Sequence, residues 1–117
     1  MKVARGPGPG LTAAAPGVIA VKGPVTFDTA GTLLADGRAL FAGVPAATVS
    51  LGGISSVDSA GLALLLEWLR LARSEGRSLA FEHIPEKLLA IARLSGVESL
   101  LTEGYRSPES GSSSPGL

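Results

Sequence analysis

Residues 55–70, Ser-Ser-Val-Asp-Ser-Ala-Gly-Leu-Ala-Leu-Leu-Leu-Glu-Trp-Leu-Arg, change character within a few positions. A polar run containing Ser55, Ser56, Asp58 and Ser59 gives way to leucines at helical spacing. Just ahead, Thr48 and Ser50 alternate with Val49 and Leu51, the period-two pattern of a strand, and Gly52-Gly53 follows. Behind the leucines, Gly76 stops the helix and Leu79-Ala80-Phe81 reads as the next strand. Strand, short polar turn, helix and strand make a βαβ unit. Asp58 and Ser59 therefore stand at one end of a sheet, and the search for function starts there.

The helix over residues 59–74 carries more apolar surface than one sheet face needs. At about 100° per residue, Leu62, Leu65, Leu66, Leu69 and Ala72 share a stripe wide enough to cover a sheet. Leu64, Trp68 and Leu71 fall on another flank, beside Glu67. Either a neighbouring helix covers that flank or it is a docking patch in which Trp68 is the anchor.

The rest of the chain supplies a single small domain. Residues 1–16 hold three prolines and three glycines and read as a flexible leader. Val18-Ile19-Ala20-Val21 is a short strand, Lys22-Gly23-Pro24 a turn, and Val25-Thr26-Phe27 a second strand. Asp28 or Thr29 can cap the helix that follows, with Ala30, Leu33, Leu34, Gly37, Leu40 and Phe41 as its stripe. Pro85 opens a third helix with Leu88, Ile91, Ala92 and Leu94 inward, and Gly96 ends it. Residues 97–101 add a last turn or short helix, and residues 102–117 read as a disordered tail. Val49, Leu51, Leu62, Leu65, Leu66, Leu69, Phe81, Leu88 and Ile91 are predicted to form one core.

Composition narrows the function. Hydrophobic residues make up 45% of the 117 and charged residues 17%, enough for a packed core. Ten basic residues balance ten acidic ones, which argues against a nucleic-acid binder. With no cysteine and one histidine, disulfides, thiolate sites and His-rich metal sites are out of reach. The charged N-terminus is followed by no apolar run, so it is not a secretory signal. The longest apolar stretch, residues 62–71, is broken by Glu67 and Arg70 and falls far short of the ~20 residues of a spanning helix. The expectation is a cytoplasmic protein with no direct membrane insertion, reaching a membrane only through a partner.

Catalytic signals are missing from the motifs. Gly6-Pro7-Gly8-Pro9-Gly10 lacks the Gly-Lys-Ser/Thr of a phosphate loop. Ser59 has Val57, not glycine, two places upstream, so it is no nucleophile elbow. Asp58 has no carboxylate or histidine near it in sequence and reads as a cap or turn residue. His83, between Phe81 and Pro85, reads as a loop residue. No cofactor and no metal are expected, and the chain is not read as an enzyme. Ser59 has two readings that are compatible: an N-cap, or a phosphorylation site whose phosphate would sit at the positive end of a helix.

Val57-Asp58-Ser59-Ala60-Gly61-Leu62, followed by an apolar helix, resembles the motif of the STAS domain (sulphate transporter and anti-sigma factor antagonist). Gly23-Pro24-Val25-Thr26-Phe27 is similar to the family's second strand. Ile84-Pro85-Glu86-Lys87-Leu88 with Ala92-Arg93-Leu94-Ser95-Gly96-Val97 is similar to its third helix. The resemblance covers roughly residues 17–101 and is closest to the MlaB-type members, the cytoplasmic STAS subunits of the Mla phospholipid ABC transporter. It implies a small α/β fold, a mixed sheet of about four strands backed by helices. It also implies a non-enzymatic subunit that binds and regulates or stabilises an MlaF-like cytoplasmic ATPase subunit within an inner-membrane complex, supporting outer-membrane lipid asymmetry. Asp58, Ser59, Ala60, Ala63, Glu67 and Trp68 are the implied partner-binding residues. The alternative is an anti-sigma factor antagonist switched by phosphorylation of Ser59, the position that kinases modify in those relatives. Ser50 departs from the many relatives that carry an acid on this strand, which puts a nucleotide- or kinase-binding role for that position in doubt.

Overall fold

The computed structural model describes residues 10–108. Strands β1 (Gly10–Ala15) and β2 (Val18–Val25) precede helix α1 (Phe27–Phe41). Then β3 (Ala46–Val57), α2 (Ser59–Ser74) and β4 (Ser78–Glu82) follow, and α3 (Glu86–Leu94) and α4 (Glu98–Glu103) complete the chain. The sheet order is β1-β2-β3-β4, with β1 antiparallel to β2 and the other pairs parallel. This is the expected mixed four-stranded sheet, built from two consecutive βαβ units.

Alternation sets which face is covered. Ile19, Val21, Ala47, Val49, Leu51, Leu79 and Phe81 are buried in the core. Their neighbours Ala20, Thr48, Ser50 and Ala80 are half-buried or exposed on the opposite face. The predicted core is present: Val49, Leu51, Leu62, Leu65, Leu69, Phe81 and Leu88 are buried, with Leu66 and Ile91 packed against them at the margin.

Several boundaries differ from the sequence reading, each for a tertiary reason. Residues 10–15 were expected in the leader but form β1, paired with β2 through the Pro16-Gly17 turn, and Leu11 packs against the core. Residues 1–9 lie outside the described residues. Lys22-Gly23-Pro24 is no turn, because β2 continues through it with register shifts on either side of Lys22-Gly23. Such irregularities let a strand carry a proline that cannot donate to the ladder. Phe27 begins α1 instead of ending a strand. The Thr29 hydroxyl accepts the Thr26 N–H at 3.0 Å and donates to the Pro24 carbonyl at 2.9 Å, winding the chain one turn early.

At the other end, the expected tail is ordered as far as residue 108. Tyr105 bridges Leu79 of β4 through two backbone hydrogen bonds of 2.8 Å. Ser107 is buried, and its N–H donates to Ser78 Oγ at 2.8 Å. Residues 109–117 lie outside the described residues. Leu94, expected on the inner face of α3, is 89% exposed. Six residues beyond Leu88 it has turned about 240° away, whereas Ala92, at four, stays on the buried side.

The surplus flank of α2 belongs to the core. Trp68 is 1% exposed, and Leu64 and Leu71, one turn to either side, are buried with it. The covering element is α1: Phe41 meets the indole edge to face, centroids 5.4 Å apart and planes at 87°. Gly37 lies over the indole so closely that a Cβ there would stand 2.5 Å from Trp68 Nε1. Trp68 is therefore a buried packing residue, and the docking reading of that flank does not hold.

Candidate functional site

The parallel strands β2 and β3 deliver the chain into α1 and α2 at the same end of the sheet. There Asp58 performs two tasks at once. Its Oδ1 accepts the Gly61 N–H at 3.1 Å, which makes Asp58 the N-cap of α2. Its Oδ2 accepts the N–H of Phe27, the first residue of α1, also at 3.1 Å. One carboxylate thus ties together the starts of two helices. The Phe27 N–H is the largest influence holding this carboxyl below the usual carboxylate range. Desolvation opposes it, and the N–H groups of Gly61 and Ala60 and the charge of Lys87 assist it.

The motif glycine has a separate cause. A Cβ on Gly61 would collide with the carbonyl oxygen of Val25 and come within 2.8 Å of Val57 Cγ2. Only glycine lets α2 start against the ends of β2 and β3. Because Asp58 supplies the cap, Ser59 does not: it is the first residue of α2 and is exposed. The cap reading of Ser59 is corrected on that point. The two adjacent residues divide the labour, Asp58 holding the turn and Ser59 facing outward.

Ser59, Ala63 and Glu67, four residues apart, form one outward row on α2, with half-buried Ala60 beside it. Glu67 is not free at the end of the row. Arg70 donates to it from Nε at 3.0 Å and from Nη2 at 2.6 Å, and that hydrogen bonding is the leading cause of its lowered pKa. The row is thus small and neutral at its start and zwitterionic at its end. Of the sequence-read residues, Asp58, Ser59, Ala60, Ala63 and Glu67 come together here, and Trp68 is beneath the helix.

Phe27 was missed. It stands at the same end, 80% exposed, with its backbone held by Asp58. Its only sequence signal was Thr26 and Thr29 three residues apart, which brackets a helix start less plainly than a Ser/Thr-x-x-Glu pattern. Ser50 lies in register with Glu82 of β4, so a carboxylate stands on the neighbouring strand. His83 is exposed at φ 56° in the loop after β4. Among the described residues no group of His, Cys, Asp and Glu could hold a metal ion. No described helix is long and apolar enough to cross a membrane.

A small mixed sheet with helices on one face, and a helix start that offers backbone-held polar and small residues, define a binding domain of the STAS architecture. The chain belongs to the STAS family: the model described as "Mlab, STAS domain" matches residues 12–102. The structure is similar to that of the anti-sigma factor antagonist SpoIIAA in its unphosphorylated form, at 16% identity and TM-score 0.57, covering 74% of this chain and 82% of that one. It is also similar to a putative anti-sigma factor antagonist from Thermotoga maritima, at 16% identity and TM-score 0.65 over 80% and 82% of the two chains. A sulfate transporter family protein from Wolinella succinogenes gives 17% identity and TM-score 0.57 over 74% and 70%. These likenesses establish the fold. No curated protein sequence matches the chain.

Proposed function

We propose that the chain is the STAS subunit of an Mla-type ABC transporter, docking on its MlaF-like cytoplasmic ATPase subunit through the start of α2. It acts there as a non-enzymatic module that stabilises or regulates the ATPase dimer, one copy per nucleotide-binding subunit. It is held at the inner membrane by its partner, and it supports phospholipid transport and outer-membrane lipid asymmetry. The observation that carries this reading is the match of residues 12–102 to the Mlab STAS model. The outward row Ser59, Ala63 and Glu67, with Ala60 and Asp58 beside it, supports it by offering a surface that a protein partner can approach closely. The test is affinity for the purified ATPase subunit. Ser59→Ala should bind as wild type, since Asp58 carries the cap. Ser59→Glu should fold normally, a negative charge being favourable at a helix start, yet bind far less tightly because that charge must be desolvated in the interface. Equal affinity for the glutamate variant removes Ser59 from the interface.

A second reading, an anti-sigma factor antagonist switched at Ser59, is favoured by one observation: the Ser59 side chain is exposed at the helix start, within reach of a kinase. Phosphoserine at position 59 in protein isolated from its own cells, together with tight binding to an anti-sigma factor only when unmodified, would decide for it.

A further inference from the structure

Three large apolar side chains are exposed among the described residues: Phe27, Leu94 and Leu100. Leu94 and Leu100 lie within α3 and α4, whereas Phe27 is the first residue of α1. A single exposed apolar residue is ordinary. Phe27 differs in being placed by the same carboxylate that caps α2, since its N–H donates to Asp58 Oδ2 at 3.1 Å. Its backbone is thereby held at the start of α2, at the end of the sheet where Ser59 is exposed and where Ser59, Ala60 and Ala63 are too small to supply an anchor. A partner that closes over Ser59 meets Phe27 as the large apolar group on this surface.

Charge says what kind of partner fits. Asp28, next to Phe27 and exposed, makes no ion pair among the described residues. Asp58 is a second carboxylate at this end of the sheet, and Lys87 is the cation whose charge reaches it. A second copy of the chain is disfavoured, because a two-fold contact centred here would bring the same unpaired Asp28 carboxylate into the interface from both copies.

We infer that Phe27 is the anchor of the partner interface, entering an apolar pocket on the ATPase subunit whose rim carries lysine or arginine opposite Asp28. The inference rests on the proposed docking function and adds the residue that gives the contact its strength and the charge that gives it selectivity. A buried aromatic at the centre of an interface, ringed by polar contacts, is the arrangement in which truncation costs most.

The test uses the full chain and the purified MlaF-like ATPase subunit from the same cell. Calorimetric titration at two salt concentrations, with urea melts alongside, compares wild type with Phe27→Ala and Asp28→Lys. Phe27→Ala should weaken binding roughly thirtyfold or more with an unchanged melt. Asp28→Lys should also weaken it, and should abolish the loss of affinity that salt causes in wild type. The inference is overturned if Phe27→Ala binds within about threefold of wild type, or if it melts markedly earlier, which would make the ring part of the core. Wild-type affinity in Asp28→Lys overturns the cationic rim. A wild-type chain that does not bind the ATPase at all overturns the docking function itself, whereas binding that survives Phe27→Ala overturns only the anchor.

Discussion

Gly37 and Trp68 form a contact that a double-mutant cycle can measure. A Cβ at position 37 would lie 2.5 Å from Trp68 Nε1, 2.6 Å from Cε2 and 2.7 Å from Cζ2. That is about an ångström inside comfortable contact. The helix cannot simply lift, because Leu33 and Phe41 on the same face are 0% and 2% exposed. Alanine in place of a mid-helix glycine would otherwise gain about 1 kcal/mol, while overpacking costs ~1–3 kcal/mol. Overpacking should win, and Gly37→Ala should destabilise the wild-type background by ~1–2 kcal/mol. Trp68→Leu removes all three indole atoms. It should cost ~2–4 kcal/mol for the lost volume, a figure moderated because the Trp68 N–H is buried without a hydrogen-bond partner among the described residues. In that background Gly37→Ala meets no ring, keeps only its helical advantage, and should stabilise. The sign of one substitution thus depends on the other, with a coupling of ~2–3 kcal/mol. Urea denaturation of the four proteins gives the cycle. Additivity within about 0.5 kcal/mol would refute the contact as the reason for the glycine.

Core packing, strand pairing and the Asp58 contacts each carry a further expected outcome. Leu65, 0% exposed, should cost ~2–5 kcal/mol on truncation to alanine, and a shift in urea stability under about 1 kcal/mol would place it outside the core. A fragment of residues 17–101 lacks both β1 and the Tyr105 bridge and should lose the cooperative melt that residues 10–108 retain; equal melts would make both dispensable. Asp58 has a folded pKa below its unfolded one, so its stabilising contribution is present above the unfolded pKa and is lost as pH falls through the folded value. The stability gap between wild type and Asp58→Asn should therefore close as the solution is acidified through that range, and a gap constant through it would show that the charge on Asp58 is not what holds the two helix starts.

Much of this was legible in the residues because its causes are local. The bounds of α2, Ser59–Ser74, follow from an Asp-Ser start, helical leucine spacing and a stopping glycine within one segment. The core strands followed from alternation. What stayed hidden has causes distant in sequence. Leu11-Thr12-Ala13-Ala14-Ala15 has too little pattern to announce a strand, and becomes one because β2 offers it a ladder. Trp68 on a second flank had two readings until α1 was placed across it; Gly37, visible only as a weak spot in a helix, was the trace of that crossing. Asp58 and Ser59 are both good caps, and where β3 ends decides which one is used. The second acceptor role of Asp58 joins it to a residue 31 positions away, beyond any local window.

The sheet order β1-β2-β3-β4 is also the order in which the strands leave the ribosome. Each new strand finds its neighbour already made, and no strand must be inserted between two others, so assembly can follow synthesis with few long loops to close. The exception comes last. Tyr105, 26 residues after its partner Leu79, closes part of the outer edge of β4 with two 2.8 Å hydrogen bonds. Until it emerges, a nascent chain carries β4 with that edge bare, the feature most prone to pairing with a neighbouring chain. Tyr105 and Ser107 therefore cover part of that edge only once they have emerged, and a stalled chain ending before Tyr105 should aggregate where one that includes it does not.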